Sequence, residues 1–443
     1  MQTSTIKFSQ IEDRIDAEYY KPEYLELERV LKNSQFLGNL LLKIDRDPNF
    51  YNVGYTKTGI PLIRGLEFQP PFLELSKVEH ISVETHKQFK KTEIYPKDLV
   101  MTVRGTIGKF AVVPEELKTA NISPNLIFLR PKNLFQSVFL SVVLNSKIGQ
   151  SQIERIISGS VQGTITVPDI ESIKIPISSK SFQQKIEETV KEAQKKRKLA
   201  DEKYKEAEEI LNKELGIKDL DLSTQKTFET KFSEAENRLD PEYYQSKYKK
   251  IISKLKFQKS VLLDKIVKIR KGIEVGHESY TNEGIPFIRV QDFNEKELVV
   301  GGSTNYVRPY LYEELKKNHK PNAGEIIFSK DGTVGRAFVI REDNNKFIVS
   351  GGILILTPRD IDNYYLALVL NSSIVKSQAN RESIGAIIQH LSVEEVKNLK
   401  IPILSSSLQQ KISSLIQQSF KLHQEVKELL KEAKQKVENL IEK

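Results

Sequence analysis

Four cations flank two copies of one short turn. Arg104 and Lys109 bracket Gly105-Thr106-Ile107-Gly108, and Lys330 and Arg336 bracket the related Gly332-Thr333-Val334-Gly335. Two glycines let a backbone turn tightly and come close to a partner. Arg and Lys beside such a turn can reach phosphates, and Arg can grip a guanine edge with two hydrogen bonds. Thr106 and Thr333 add a hydroxyl to each tip. A β-hairpin with solvated charges is the other reading; recurrence favours a binding turn. Arg64 and Arg289 each end a G-I-P-x-I-R stretch, where they contact DNA or form an internal ion pair. Gln162, in the Gly- and Ser-rich loop 158–164, aligns with Gln389 in 383–390. Such a loop reads bases or simply joins helix to strand. Gln291, in Val290-Gln291-Asp292, stands where the other copy has Gly65-Leu66-Glu67, and is a further candidate for DNA contact.

Catalytic arrangements are harder to find. Phe68-Gln69-Pro70-Pro71-Phe72 faintly resembles the loop that holds the target amine in amino-methyltransferases. It carries Gln in place of the acceptor residue and lacks a glycine-rich cofactor loop before it, so it reads as a proline-bounded turn. Pro168-Asp169, with Glu171 and Lys174, has the wrong spacing for a nuclease site and reads as a helix start. The turn at Gly105 does not meet the phosphate-loop pattern, and neither G-x-S-x-G nor H-E-x-x-H occurs. The chain has no cysteine, and its six histidines are scattered, so no metal site is expected. The expectation is a binding protein with no catalytic residues, no metal and no cofactor of its own.

The elements that must carry these residues occur twice. K-F-S-x-x-x-x-R-x-D-x-E-Y-Y runs from Lys7 to Tyr20 and again from Lys231 to Tyr244. Leu144-Asn145-Ser146 matches Leu370-Asn371-Ser372, Ile175-Pro176-Ile177 matches Ile401-Pro402-Ile403, and Gln183 to Ile186 matches Gln409 to Ile412. This is a domain-sized duplication, far longer than a solenoid repeat. Each copy begins with a helical lead, 14–32 and 238–254. Short β-branched runs follow at 60–63, 99–103, 111–113 and 126–129, and at 285–288, 325–328, 337–340 and 353–356. A helix comes next, 135–157 or 363–383. Each copy closes on a long charged helix with apolar residues at alternating spacings of four and three. The first seam runs through Ile186, Val190, Ala193, Arg197, Tyr204 and Leu211. The second runs through Ile412, Ile416, His423, Leu430 and Val437. Arg197 and His423 either fix the register of the pair or contact a partner. Gly216 reads as a helix C-cap.

The expected fold is therefore α+β: two tandem mixed α/β domains joined by two long helices that pair as an antiparallel coiled coil, with pseudo-twofold symmetry. The first domain takes 1–180, its helix 181–215, a linker 216–230, the second domain 231–406 and its helix 407–443. A formal charge of +9 over 443 residues fits a nucleic-acid partner, though lysine-rich composition alone gives the same number. No run of 18 apolar residues suggests a membrane span, and a cytoplasmic protein is expected.

In this order, and twice over, the motifs resemble those of the specificity subunit of type I restriction–modification systems. The shared features are G-I-P-x-I-R, G-T-I/V-G, the S-G-S-V-Q loop, and I-P-I running into Q-Q-K-I and the long helix. The resemblance implies two target-recognition domains, each reading one half of a bipartite asymmetric site in double-stranded DNA. It also implies a helical spacer that docks two modification subunits, which bind S-adenosylmethionine and methylate adenine. Restriction subunits that use ATP and Mg complete the implied assembly. The chain departs from the family pattern at Phe182 and Leu408, where Glu is usual, and at Pro124-Asn125 and Gly351-Gly352, where Asn-Gln is usual.

Overall fold

A computed structural model describes the chain except for residues 1–4, 7–10, 12–13, 52, 159–164, 218–219, 221–222, 232–237, 239, 257–258, 302–303, 342–345, 386–388 and 442–443. It divides into two compact units. One comprises Met1–Arg197 with Gln424–Lys443, the other Lys198–His423. Both long helices, Lys180–Glu214 and Ser406–Glu438, are shared out between the units in this way.

The first unit is built on two four-stranded sheets. One sheet has the order Leu41–Asp45, Leu126–Pro131, Leu99–Thr102, Phe110–Val112, with all neighbours antiparallel. Its central runs are apolar without a break because both faces are covered. Leu99, Met101, Ile127 and Leu129 face the helices, whereas Val100, Leu126 and Phe128 join the core of the second sheet with Ile63 and Ile122. That second sheet has the order Glu79–Ile81, Ile60–Ile63, Ala120–Ile122, Glu93–Ile94. Its G-I-P strand runs parallel to Ala120–Ile122, which brings Arg64 beside Ser123.

The helix expected over 135–157 is two helices, Ser137–Asn145 and Lys147–Ile157, broken at Ser146 with ψ 173°. The hydrophobic pattern is continuous, so only the side chains reveal the break. Asn145 accepts a hydrogen bond from the Phe110 amide at 3.1 Å and donates to the Phe110 carbonyl at 2.7 Å. Ser146 Oγ donates to the carbonyl of Val143. The Asn thus pins the helix end to the strand that leaves the glycine turn. The second unit repeats the device: Asn371 brackets the backbone of Ala337, and Ser372 separates Asn363–Asn371 from Ser373–Glu382.

The lead helix is also shorter than the sequence suggests. It begins at Pro22, where proline loses no helical hydrogen bond. The residues before it form a clamp. Arg14 pairs with Asp16 through two bonds, 2.8 and 3.0 Å, and donates to the carbonyls of Ile156 and Ser158. A guanidinium at a helix C-terminus satisfies orphan carbonyls and suits the helix dipole. The Arg14 bond holds the Asp16 carboxyl below its usual range. Arg238 does the same with Asp240 and the carbonyls of Glu382 and Ser383. The opening residues of the repeated motif, 7–10 and 232–237, lie outside the described residues.

In the second unit, Val267–Lys271, Ile353–Pro358, Ile326–Ser329 and Ala337–Val339 reproduce the first sheet. The other sheet differs at its edges, with the order Tyr280–Thr281, Asn305–Val307, Ile285–Ile288, Ile348–Val349. Within each unit the two long helices pack antiparallel. Ile186 and Val190 share a core with Ala433 and Val437 in the first, with Leu430 half-buried against it. Tyr204 and Leu211 share one with Ile412 and Ile416 in the second. The buried stripe there is wider than a two-in-seven seam, since Leu415 and Phe420 are also buried. Phe420 packs on Phe338 and Tyr364 of its own unit, so the helix serves two neighbours at once. Arg197 turns to its own domain, bonding Gln69 and, at 2.8 Å, Glu74. His423 lies 3.7 Å from Asp201, which Lys296 also reaches at 2.8 Å. The first long helix stops at Glu214, and Gly216 follows with φ +58°.

Candidate nucleic-acid interface

The glycine turn is held by a hydroxyl that the sequence reading passed over. Thr102 ends its strand and donates through Oγ to the carbonyl of Thr106, while accepting from the Lys109 amide at 3.1 Å. Ser329 plays the same part toward Thr333 and Arg336 in the second unit. Gly108 and Gly335 take φ of +85° and +84°, which disfavours any side chain. A Cβ on Gly108 would also stand 2.9 Å from Ile153 Cγ2. Gly105 and Gly332 have φ of +72° and +69° with open space about them. The loop is therefore pinned at its base and presents Thr106 or Thr333, both exposed, at its tip.

In the first unit four expected residues meet. Arg64, Arg104, Thr106 and Lys109 line one concavity of about 850 Å³. Arg104 is exposed and donates to the hydroxyl of Tyr51. Lys109 Nζ donates to Gln150 Oε1 at 3.1 Å, and Gln150 in turn holds the carbonyl of Gly108 at 2.7 Å. Lys434 lies near Lys109. Burial, and then the charge of Lys109, hold its ammonium below the usual lysine range, with Glu438 opposing. Arg64 forms the internal ion pair: it donates to the buried Glu67 at 2.9 Å, which raises the guanidinium pKa further. Its Nε is buried in the wall without a hydrogen-bond partner, and so is Ser123 Oγ. Tyr51 and Tyr55, half-exposed on the same wall, went unnoticed in the sequence because nothing local marks them. Gln162 lies outside the described residues.

The second unit arranges its set differently. The Arg289 amide donates to Asp292 at 2.8 Å, and its Nε lies 4.0 Å from that carboxylate. Gln291 is exposed on the short turn Val290–Asp292. Lys330 pairs with Asp331 at 2.6 Å, and His390 Nδ1 lies 3.0 Å from the same carboxylate. Gln389 is exposed and pairs with Gly332 in a small ladder, which puts it next to Thr333. Arg336 is turned inward: it donates to the carbonyls of Val290 and Phe293, at 3.1 and 2.7 Å. It binds the 290–293 turn to the glycine turn. Two repeats of one motif therefore bring together different partners.

Comparison with known proteins gives these loops a setting. The family described as the type I restriction modification DNA specificity domain matches residues 49–209 and again 230–435. The specificity subunit of the EcoBI type I restriction enzyme of Escherichia coli is 25% identical over 131 residues, 29% of this chain and 27% of that protein. The match thus spans about a quarter of the length of that relative. The crystal structure of a type I restriction-modification S subunit from M. genitalium aligns over 92% of this chain and 94% of its own, with 15% identity and TM-score 0.41. The HsdS subunit from Thermoanaerobacter tengcongensis aligns over 93% and 96%, with 16% identity and TM-score 0.29. Matched over most of its length by two copies of the domain, the chain belongs to the type I restriction–modification DNA specificity family.

Proposed function

We propose that this chain is the DNA-recognition subunit of a type I restriction–modification complex. Each unit reads one half of a bipartite, asymmetric site in double-stranded DNA. The long helices set the spacer and dock two modification subunits, and restriction subunits join that assembly. The chain itself carries no catalytic residue. S-adenosylmethionine and ATP with Mg belong to the partner subunits, and the complex works in the cytoplasm. The observation that carries this reading is the pairing of two family domains on one scaffold with unlike loops at the glycine turn. Like domains with unlike contact residues suit two different half-sites rather than a palindrome. The net charge of +9 suits a phosphate backbone.

Co-expression with a type I modification subunit, followed by methyladenine mapping across a genome, tests the reading. Two short half-sites separated by a fixed gap are expected. A stable complex that leaves no methylation pattern would instead make the chain a DNA-binding scaffold of another system. Methylation by the purified chain alone would make it an enzyme.

A further inference from the structure

The two units differ where the first strand of the shared sheet ends. After Leu41–Asp45 the first unit continues Arg46-Asp47-Pro48-Asn49; after Val267–Lys271 the second continues Gly272-Ile273-Glu274-Val275. Gly272 lies so close to the strand end at Ser350 that a Cβ would sit 2.0 Å from its carbonyl oxygen. The chain there stays on the sheet, with the Ile273 amide donating to Val349 at 3.0 Å, and Glu274 lies against Gly351. Arg46 does not permit that approach, and Pro48 lacks the amide to extend it. In the first unit this segment leaves the sheet, and the concavity at Arg64 and Arg104 stands open.

None of the described residues lining that concavity is acidic. Its lining carries the cations Arg64, Arg104 and Lys109, beside groups that both donate and accept, among them Thr106 and Asn125. Cations with no carboxylate among them match a group rich in acceptors. In the major groove, guanine offers two acceptors, O6 and N7, for a bidentate fork; thymine offers only O4 beside its methyl, and adenine and cytosine bring an amino donor. A backbone phosphate has the same acceptor chemistry but carries no sequence. The exposure of Arg104 and its position beside the turn let its planar fork meet a base edge.

We propose that the half-site read by the first unit contains a guanine, and that Arg104, at the mouth of this concavity, selects it. The proposal rests on the DNA-recognition reading above and adds the base and the residue. The second unit, with Glu274 on Gly351 and Lys330 tied to Asp331, reads its half-site with acceptors as well as donors.

The test uses the full chain with a modification subunit, mapping methyladenine for the wild type, Arg104→Ala and Arg104→Lys. In the wild type, one half-site contains guanine. Arg104→Ala makes one guanine position of that half-site degenerate, with roughly ten- to hundredfold loss of discrimination, and leaves the other half-site and the gap unchanged. Arg104→Lys keeps the charge, loses the fork, and relaxes the same position. Uniformly slower methylation with an unchanged motif would show a phosphate contact and overturn the proposal. A wild-type motif without guanine in either half-site would also overturn it, while leaving the recognition function standing. The absence of any bipartite motif would remove both.

Discussion

The two units share their pins and differ in their surfaces. Asn145 and Asn371 fix the helix break to the same strand position, and Arg14 and Arg238 close the same helix end. These contacts join residues far apart in the chain and are buried or half-buried, so they tolerate little change. The segments after the edge strand, Arg46 to Asn49 and Gly272 to Val275, share no such pin. One leads into the wall of a cationic concavity at Phe50 and Tyr51, and the other lays Glu274 against Gly351. A duplicated domain can diverge in what it displays while the pins preserve how it folds.

Breaking a pin tests the shared part of this comparison and has the largest expected effect. Asn145→Ala leaves a buried amide and carbonyl of Phe110 without partners, at a cost of about 2–5 kcal/mol. Asn371→Ala, less deeply buried, costs less but in the same direction. Denaturant unfolding of both variants checks this, and a loss under 1 kcal/mol in either would show that the Asn is not a pin.

The divergent part responds to Gly272→Ala. The added methyl meets backbone rather than a movable side chain, so stability falls by about 1–3 kcal/mol. Arg46→Gly, the reciprocal change, has no clash to make and shifts the melting temperature little. Equal effects in the two units would mean that the close approach at Ser350 does not distinguish them.

The smallest effect belongs to Lys434, which lies beside the turn lysine Lys109 of the first unit. Its folded-state pKa is lowered, so the folded chain binds that proton less tightly than the unfolded chain. The resulting penalty is full below the folded pKa and fades as pH rises toward the ordinary lysine value. Lys434→Met therefore stabilises at neutral pH and flattens the rise in stability toward alkaline pH, measured as melting temperature against pH. A variant that melts lower at neutral pH would contradict this.

Much of this was legible in the sequence. The apolar runs, the duplication and the helix seams all follow from local pattern, and the strands lie where those runs stand. The breaks at Ser146 and Ser372 were not legible, because the apolar pattern runs straight through them and the cause is a side chain reaching a distant strand. Leu415 and Phe420 were missed because a seam read from one helix ignores the second surface that the helix covers. At the site, Arg64, Arg104, Thr106 and Lys109 could be picked out by type. Their convergence, and the inward turn of Arg336, depend on which backbone atoms lie opposite them. Neither Tyr51 nor Gly272 announces itself in a linear reading.

The make-up of the first unit has a consequence for its birth on the ribosome. Its core needs Ala433 and Val437, so it remains unfinished while residues 198–423 are being made. At about 5–20 residues per second, that leaves Ile186 and Val190 without their cover for on the order of ten seconds or more. During that interval the earlier half of the protein is the more exposed to aggregation and proteolysis. A chain stopped short of Phe420 would lose not one unit but the completion of both.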